Sequence, residues 1–156
     1  MRVRVIAVGT RMPAWVKSAC DDYLTRLKST LNVSLLQIDA GTRSAAGDPS
    51  RAILAEGKKV LAAVRPGEFV AALDERGTQL STRELAAWLK LRMQEGADLA
   101  FLVGGADGFA PAVLQRANFS WSLSRLTLPH AMVRILIAEQ LYRAHSILAN
   151  HPYHRD

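Results

Sequence analysis

The sequence predicts an α/β fold: a mostly parallel sheet with helices on both faces. Short apolar runs alternate along the chain with segments whose apolar residues recur at helical spacing. That alternation is the pattern of strands joined by helical crossovers. The run Leu99–Val103 is apolar at every position, as expected of a strand covered on both sides.

The elements follow in order. Arg2–Val8 reads as a central strand, with apolar residues on both faces. Gly9 to Met12 form a turn, and Pro13 suits the first position of a helix. Trp15, Val16, Ala19, Tyr23, Leu24 and Leu27 then recur at helical spacing. A second strand, Asn32–Ile38, leads into a small, polar segment over residues 39–48 that reads as a mobile loop. Asp48 and Pro49 open a helix to about Val64, with Ile53, Val60, Leu61 and Val64 expected on its buried stripe.

Pro66-Gly67 ends that helix. Phe69–Leu73 is a third strand, expected to stop at Asp74-Glu75-Arg76-Gly77. Ser81 and Glu84 have capping-box spacing. The helix they start turns Leu85, Trp88, Leu89 and Met93 inward, and Gly96 ends it. After Leu99–Val103 comes Gly104-Gly105-Ala106-Asp107-Gly108, then a short helical turn and an apolar segment near Trp121–Leu123. Ser124 to His130 form a second loop before a long helix over about 131–150, apolar around much of its circumference. Such a helix needs two partners: its own sheet and, on this reading, a second subunit. The loops after Val103 and Leu123 are expected side by side, leaving neighbouring strands where ligands bind α/β sheets.

The totals narrow the function. A chain of 156 residues suits one domain, 1–156, and can bury a core without staples. One cysteine, Cys20, gives no disulfide framework. The N-terminal apolar run is too short for a signal peptide, and no stretch is long enough for a membrane span, so the expected location is cytoplasmic. Net charge is +6; residues 1–64 hold ten Lys/Arg against five Asp/Glu. That bias suits either a phosphate-backbone partner or an ordinary soluble surface.

Gly104, Gly105 and Gly108 leave a strand end with little side-chain bulk, so a ligand could approach the backbone; a tight strand-to-helix turn has the same composition. The glycines are misplaced for a nicotinamide fold, whose fingerprint follows the first strand, and no P-loop is present. Ser122, Ser124 and Thr127 could recognise a purine edge and ribose, or serve as ordinary loop chemistry. His151 and His154 are three apart but lack a third ligand at metal spacing, so no metal is expected. Glu139 and Arg143 are placed to pair on the last helix.

Taken together, the opening Val-Ile-Ala-Val-Gly-Thr, Leu73-Asp74, Gly104-Gly105-Ala106-Asp107-Gly108, Trp121 to His130, Ala138 to Ala144 and the terminal Asn150-His151-Pro152-Tyr153-His154-Arg155 closely resemble the RlmH family. The resemblance covers essentially the whole chain. It implies a SPOUT-class methyltransferase, an α/β fold with a trefoil knot near the C-terminus, acting as a homodimer. It implies S-adenosylmethionine as cofactor and transfer of its methyl to N3 of a pseudouridine in the helix-69 loop of 23S rRNA, on assembled ribosomes. Carried over, the cofactor residues are Leu73, Gly104, Leu123, Ser124, Arg125, Leu126, Thr127 and Leu128.

For the nucleotide, His154 is assigned as base or proton relay, Arg143 as stabiliser of charge on the uracil oxygens, and Tyr153 as the stacking or orienting group. A tail histidine that only contacts phosphate is the competing reading of His154. The basic residues of 1–64, with Arg43 in the flexible loop, would dock the ribosome. The alternative function is a non-catalytic ribosome- or RNA-binding α/β module, which leaves the paired loops at 104 and 123–128 without a use.

Overall fold

The structure, a computed structural model, describes residues 1–155. The chain runs β1 (Arg2–Val8), α1 (Ala14–Lys28), β2 (Asn32–Ile38), α2 (Ser50–Ala63), β3 (Phe69–Gln79), α3 (Thr82–Glu95), β4 (Leu99–Val103), α4 (Pro111–Arg116), β5 (Phe119–Ser122) and α5 (His130–Leu148). The strands form one sheet in the order β2-β1-β4-β3-β5, and every pairing is parallel. All five strands therefore end on the same edge.

Strand periodicity sorts the core into two layers. Val3, Val5, Ala7, Leu99, Phe101 and Val103 pack on one face with buried residues of α1, α3 and α5. Ile6, Val8, Ala100 and Leu102 pack on the other with Val60 of α2 and Val113 of α4. The predicted three-layer α/β architecture is the observed one. The capping box is closed: Glu84 N donates to Ser81 Oγ at 3.2 Å and Ser81 N to Glu84 Oε2 at 2.7 Å. Gly96 ends α3 in the left-handed region, φ +76°.

Four expectations are corrected. The strands β4 and β5 are not neighbours; β3 lies between them. β3 does not stop at Asp74: the chain stays extended to Gln79 and pairs with β5 again after a register shift between Leu73 and Thr78. Residues 74–77 are thus an irregularity inside a strand, where Gly77 lies so close to the Ser120 carbonyl that a Cβ would clash at 2.7 Å. β5 begins at Phe119, two residues before its expected start, and ends at Ser122. On the helices, Trp15 and Met93 face solvent, and the buried stripe of α2 is Ala52, Glu56, Gly57 and Val60. That stripe is rotated from the predicted one because α4 packs on Gly57, where a Cβ would lie 2.8 Å from Ala110.

Candidate active site

The irregular stretch of β3 at residues 73–76 and the loops after β4 and β5 meet around a cavity of about 750 Å³. That volume lies in the range of pockets that enclose a small organic ligand. Leu73 ends the regular pairing of β3 with β4 and stands between the glycine loop and the 123–128 loop. Seven of the eight cofactor candidates line the cavity: Leu73, Gly104, Leu123, Ser124, Leu126, Thr127 and Leu128. Arg125 is exposed and stands outside the wall.

Local hydrogen bonds shape each loop. Ser122 Oγ donates to the Ser124 carbonyl at 2.9 Å, and Leu126 N donates to Ser124 Oγ at 2.9 Å. These serines fold the loop on itself. Gly108 N donates to the Gly105 carbonyl at 3.2 Å and closes the glycine loop. A Cβ on Gly104 would press on the Gly108 backbone at 3.3 Å, and one on Gly105 would meet Val8 at 3.1 Å and Glu56 Oε2 at 3.2 Å. The close approach of the loop to the β1 end and to α2 requires these glycines. Trp121, buried beneath the cavity, packs against Phe101 at 5.9 Å between ring centroids.

A charged cluster that sequence reading missed backs the glycine loop. Glu56 of α2 is buried. Its Oε1 accepts from Gly41 N at 2.9 Å and from the Arg43 guanidinium. Arg43 Nη2 and Nε also donate to Asp107 Oδ2, at 2.9 and 3.2 Å. Glu56 and Asp107 together push the Arg43 pKa up. The signal was available: Glu56 stands four residues from both Ala52 and Val60, on the stripe that must be buried.

His130 opens α5 and lines the cavity. Burial, then the charges of Arg134 and Arg43, lower its pKa, with Glu56 opposing. One turn on, Arg134 is buried and donates through Nη2 to the carbonyls of Val8 and Gly9, both at 2.6 Å, and through Nη1 to Gln37 Oε1 at 3.0 Å. Burial pulls its pKa down.

The nucleotide candidates lie elsewhere. Arg143 is thirteen residues beyond His130, about 20 Å along α5 at 1.5 Å per residue. Arg143 Nε donates to Glu139 Oε1 at 2.8 Å, and its guanidinium stacks over the Tyr153 ring at 4.7 Å. Tyr153 OH donates to the same carboxylate oxygen at 3.2 Å, and its ring meets Tyr142 edge-on at 4.6 Å. Burial, Tyr23 and Glu139 raise the Tyr153 pKa. The tail is therefore folded back on the far end of α5, with His154 next in the chain and half-buried. Neither Arg143 nor Tyr153 lines the cavity.

The residues present fit S-adenosylmethionine. Leu73, Trp121, Leu123, Leu126 and Leu128 give apolar walls for an adenine. The carboxylates of Asp74 and Glu75 stand at the same cavity, where they outnumber its one arginine, Arg76, and favour a cationic ligand.

A family model described as "Predicted SPOUT methyltransferase" matches residues 1–154. The protein "Ribosomal RNA large subunit methyltransferase H" of Thiobacillus denitrificans is 49% identical over 156 residues, all of both chains. Its namesake in Chromohalobacter salexigens is 52% identical over 155 residues, 99% of this chain and 100% of the relative. Among solved structures, a probable methylase family protein from Haemophilus influenzae superimposes with TM-score 0.57 at 16% identity, over 99% of this chain and 70% of that one, and so shares its fold. The chain belongs to the SPOUT methyltransferases and, within them, to the RlmH family.

Proposed function

We propose that this protein is a 23S rRNA methyltransferase that moves a methyl group from S-adenosylmethionine to N3 of a pseudouridine in the helix-69 loop of assembled ribosomes. It works in the cytoplasm as a homodimer with the trefoil knot of its class. One observation carries the reading: three segments far apart in sequence, one in β3 and two loops, converge on one cavity, and they contain the residues expected to hold the cofactor. The full-length relatives named as ribosomal RNA methyltransferases support the rRNA substrate.

S-adenosylmethionine bound in the cavity supplies an electrophilic methyl group. The protein's own task is to hold the uracil ring in line with it and to remove the N3 proton. On this reading, His154 takes or relays that proton, Arg143 stabilises charge on the uracil oxygens, and Tyr153 orients the base. Because Arg143 stands about 20 Å along α5 from His130, this reading takes these groups from the partner subunit. Half-buried apolar residues of α5 (Met132, Ile135 and Leu136) suit a subunit contact.

The test is calorimetry against S-adenosylmethionine with NADH as control, followed by transfer of tritiated methyl to intact ribosomes. Saturable binding of the methyl donor alone and label in 23S rRNA are expected. A protein that binds ribosomes but transfers no methyl is a binding module, and the proposal fails.

A further inference from the structure

Arg43 joins three separate segments beside the cavity. It lies in the 39–48 loop, reaches 13 residues forward to Glu56 on α2, and reaches 64 residues forward to Asp107 in the glycine loop. Its Nη1 also donates to the Gly41 carbonyl at 3.0 Å, so the guanidinium is fixed to its own loop. Glu56 is the rigid end of this chain of bonds, because α2 buries it. Asp107 is the free end: it is 38% exposed, stands at the cavity wall, and its carboxylate makes two bonds, both with Arg43. The loop that carries Asp107 also has a backbone hydrogen bond of its own, Gly108 N to Gly105 O at 3.2 Å, and packs through Gly105 near Val8 and Glu56. With three glycines in residues 104–108, the segment loses much chain entropy when it is ordered.

We propose that Arg43 is a positioning residue for the cofactor site: anchored on Glu56, it holds Asp107 and so fixes the glycine loop in the form that receives S-adenosylmethionine. The arrangement makes the 39–48 loop part of the cofactor site, although the cavity wall contains no residue from it. This rests on the cavity being the methyl-donor site. Ion pairs at the surface contribute little. This one acts instead by joining the glycine loop to a buried carboxylate, where Arg43 is 30% and Glu56 3% exposed.

Three variants and two combinations test the proposal: Arg43→Gln, Asp107→Asn, Glu56→Gln, Arg43→Gln with Asp107→Asn, and Arg43→Gln with Glu56→Gln. The readouts are the Kd for S-adenosylmethionine, the melting temperature and hydrogen exchange of amides 105–108. Arg43→Gln and Asp107→Asn should each weaken the methyl donor about tenfold, and their combination should be no weaker than either. Additive losses would mean that Asp107 acts on the ligand independently of Arg43, and would overturn the proposal. Arg43→Gln with Glu56→Gln should recover the melting temperature yet stay weak in binding. Recovery of binding as well would reduce Arg43 to a counter-charge for Glu56, and the proposal falls. Amide exchange at 105–108 should rise about tenfold or more in Asp107→Asn with the melting temperature unchanged. That readout needs no ligand. If the wild type bound no S-adenosylmethionine, the site reading would fail separately, and unchanged exchange in Asp107→Asn would still sink the positioning role.

Discussion

Arg134 on α5 reaches back 126 residues to donate to the carbonyl oxygen of Val8, at 2.6 Å. The bond ties the long helix to the carboxyl end of β1. The neighbouring carbonyl of Gly9 and the side chain of Gln37 complete the set of acceptors and bring in β2. One buried guanidinium thus joins the last helix to the first two strands, next to His130 and the cavity.

Replacing Arg134 by methionine keeps much of its volume and removes its donors. The carbonyls of Val8 and Gly9 are then left buried without that partner, which costs about 1–3 kcal/mol each at most. A net loss of about 3 kcal/mol lowers the melting temperature by about 6–12 °C for a chain of this size. Thermal unfolding followed by circular dichroism measures it. A shift below about 2 °C would mean that the guanidinium stabilises nothing net.

Gly104→Val puts side-chain bulk against the Gly108 backbone, since a Cβ at position 104 would already stand 3.3 Å from it. Affinity for S-adenosylmethionine should fall at least tenfold, about 1.4 kcal/mol or more. Because the strain is confined to the loop, the melting temperature should hold within about 2 °C. Calorimetry and thermal unfolding on one preparation separate the two effects.

Stability should fall as pH drops below the ordinary histidine value of about 6.5. Burial lowers the pKa of His145, and burial with Arg134 and Arg43 lowers that of His130. In that window the unfolded chain binds more protons than the native one, so unfolding is favoured as pH decreases. The loss levels off once the native imidazoles also protonate. Urea midpoints from pH 7.5 to 5 record the slope, and the double variant His130→Gln, His145→Gln should flatten it.

Mixed dimers locate the tail. Subunits with Gly104→Val are co-expressed with subunits carrying His154→Ala. If each tail serves the partner's cavity, half of the dimers hold one intact site, and about a quarter of wild-type activity returns. A tail serving its own cavity restores none.

Ribosome affinity should drop steeply with salt if the basic residues of 1–64 bind phosphates. Charge reversal at Arg11 and Arg51, both exposed, should reduce the slope of log K against log salt by about 1 for each phosphate no longer neutralised. A slope unchanged by both would place the docking surface elsewhere.

Most elements, and seven of the eight expected cofactor residues that line the cavity, were legible in the chain alone. Strand and helix periods are local properties, and so are the Ser81–Glu84 box and the Gly96 stop, so their signals survive without tertiary information. The glycine loop and the 123–128 loop were legible for the same reason: glycines and hydroxyls at strand ends mark places where backbone is open to a ligand. Only the tertiary structure decided that β3 lies between β4 and β5, because strand order depends on how crossovers pack and not on any one segment. That order sets Leu73 between the two loops. Packing likewise decided that Glu56 and Arg134 are buried, since a charge enters the core only where a distant partner awaits it. The length of α5 separates Arg143 and Tyr153 from the cavity, a distance that proximity in the chain to His130 did not reveal.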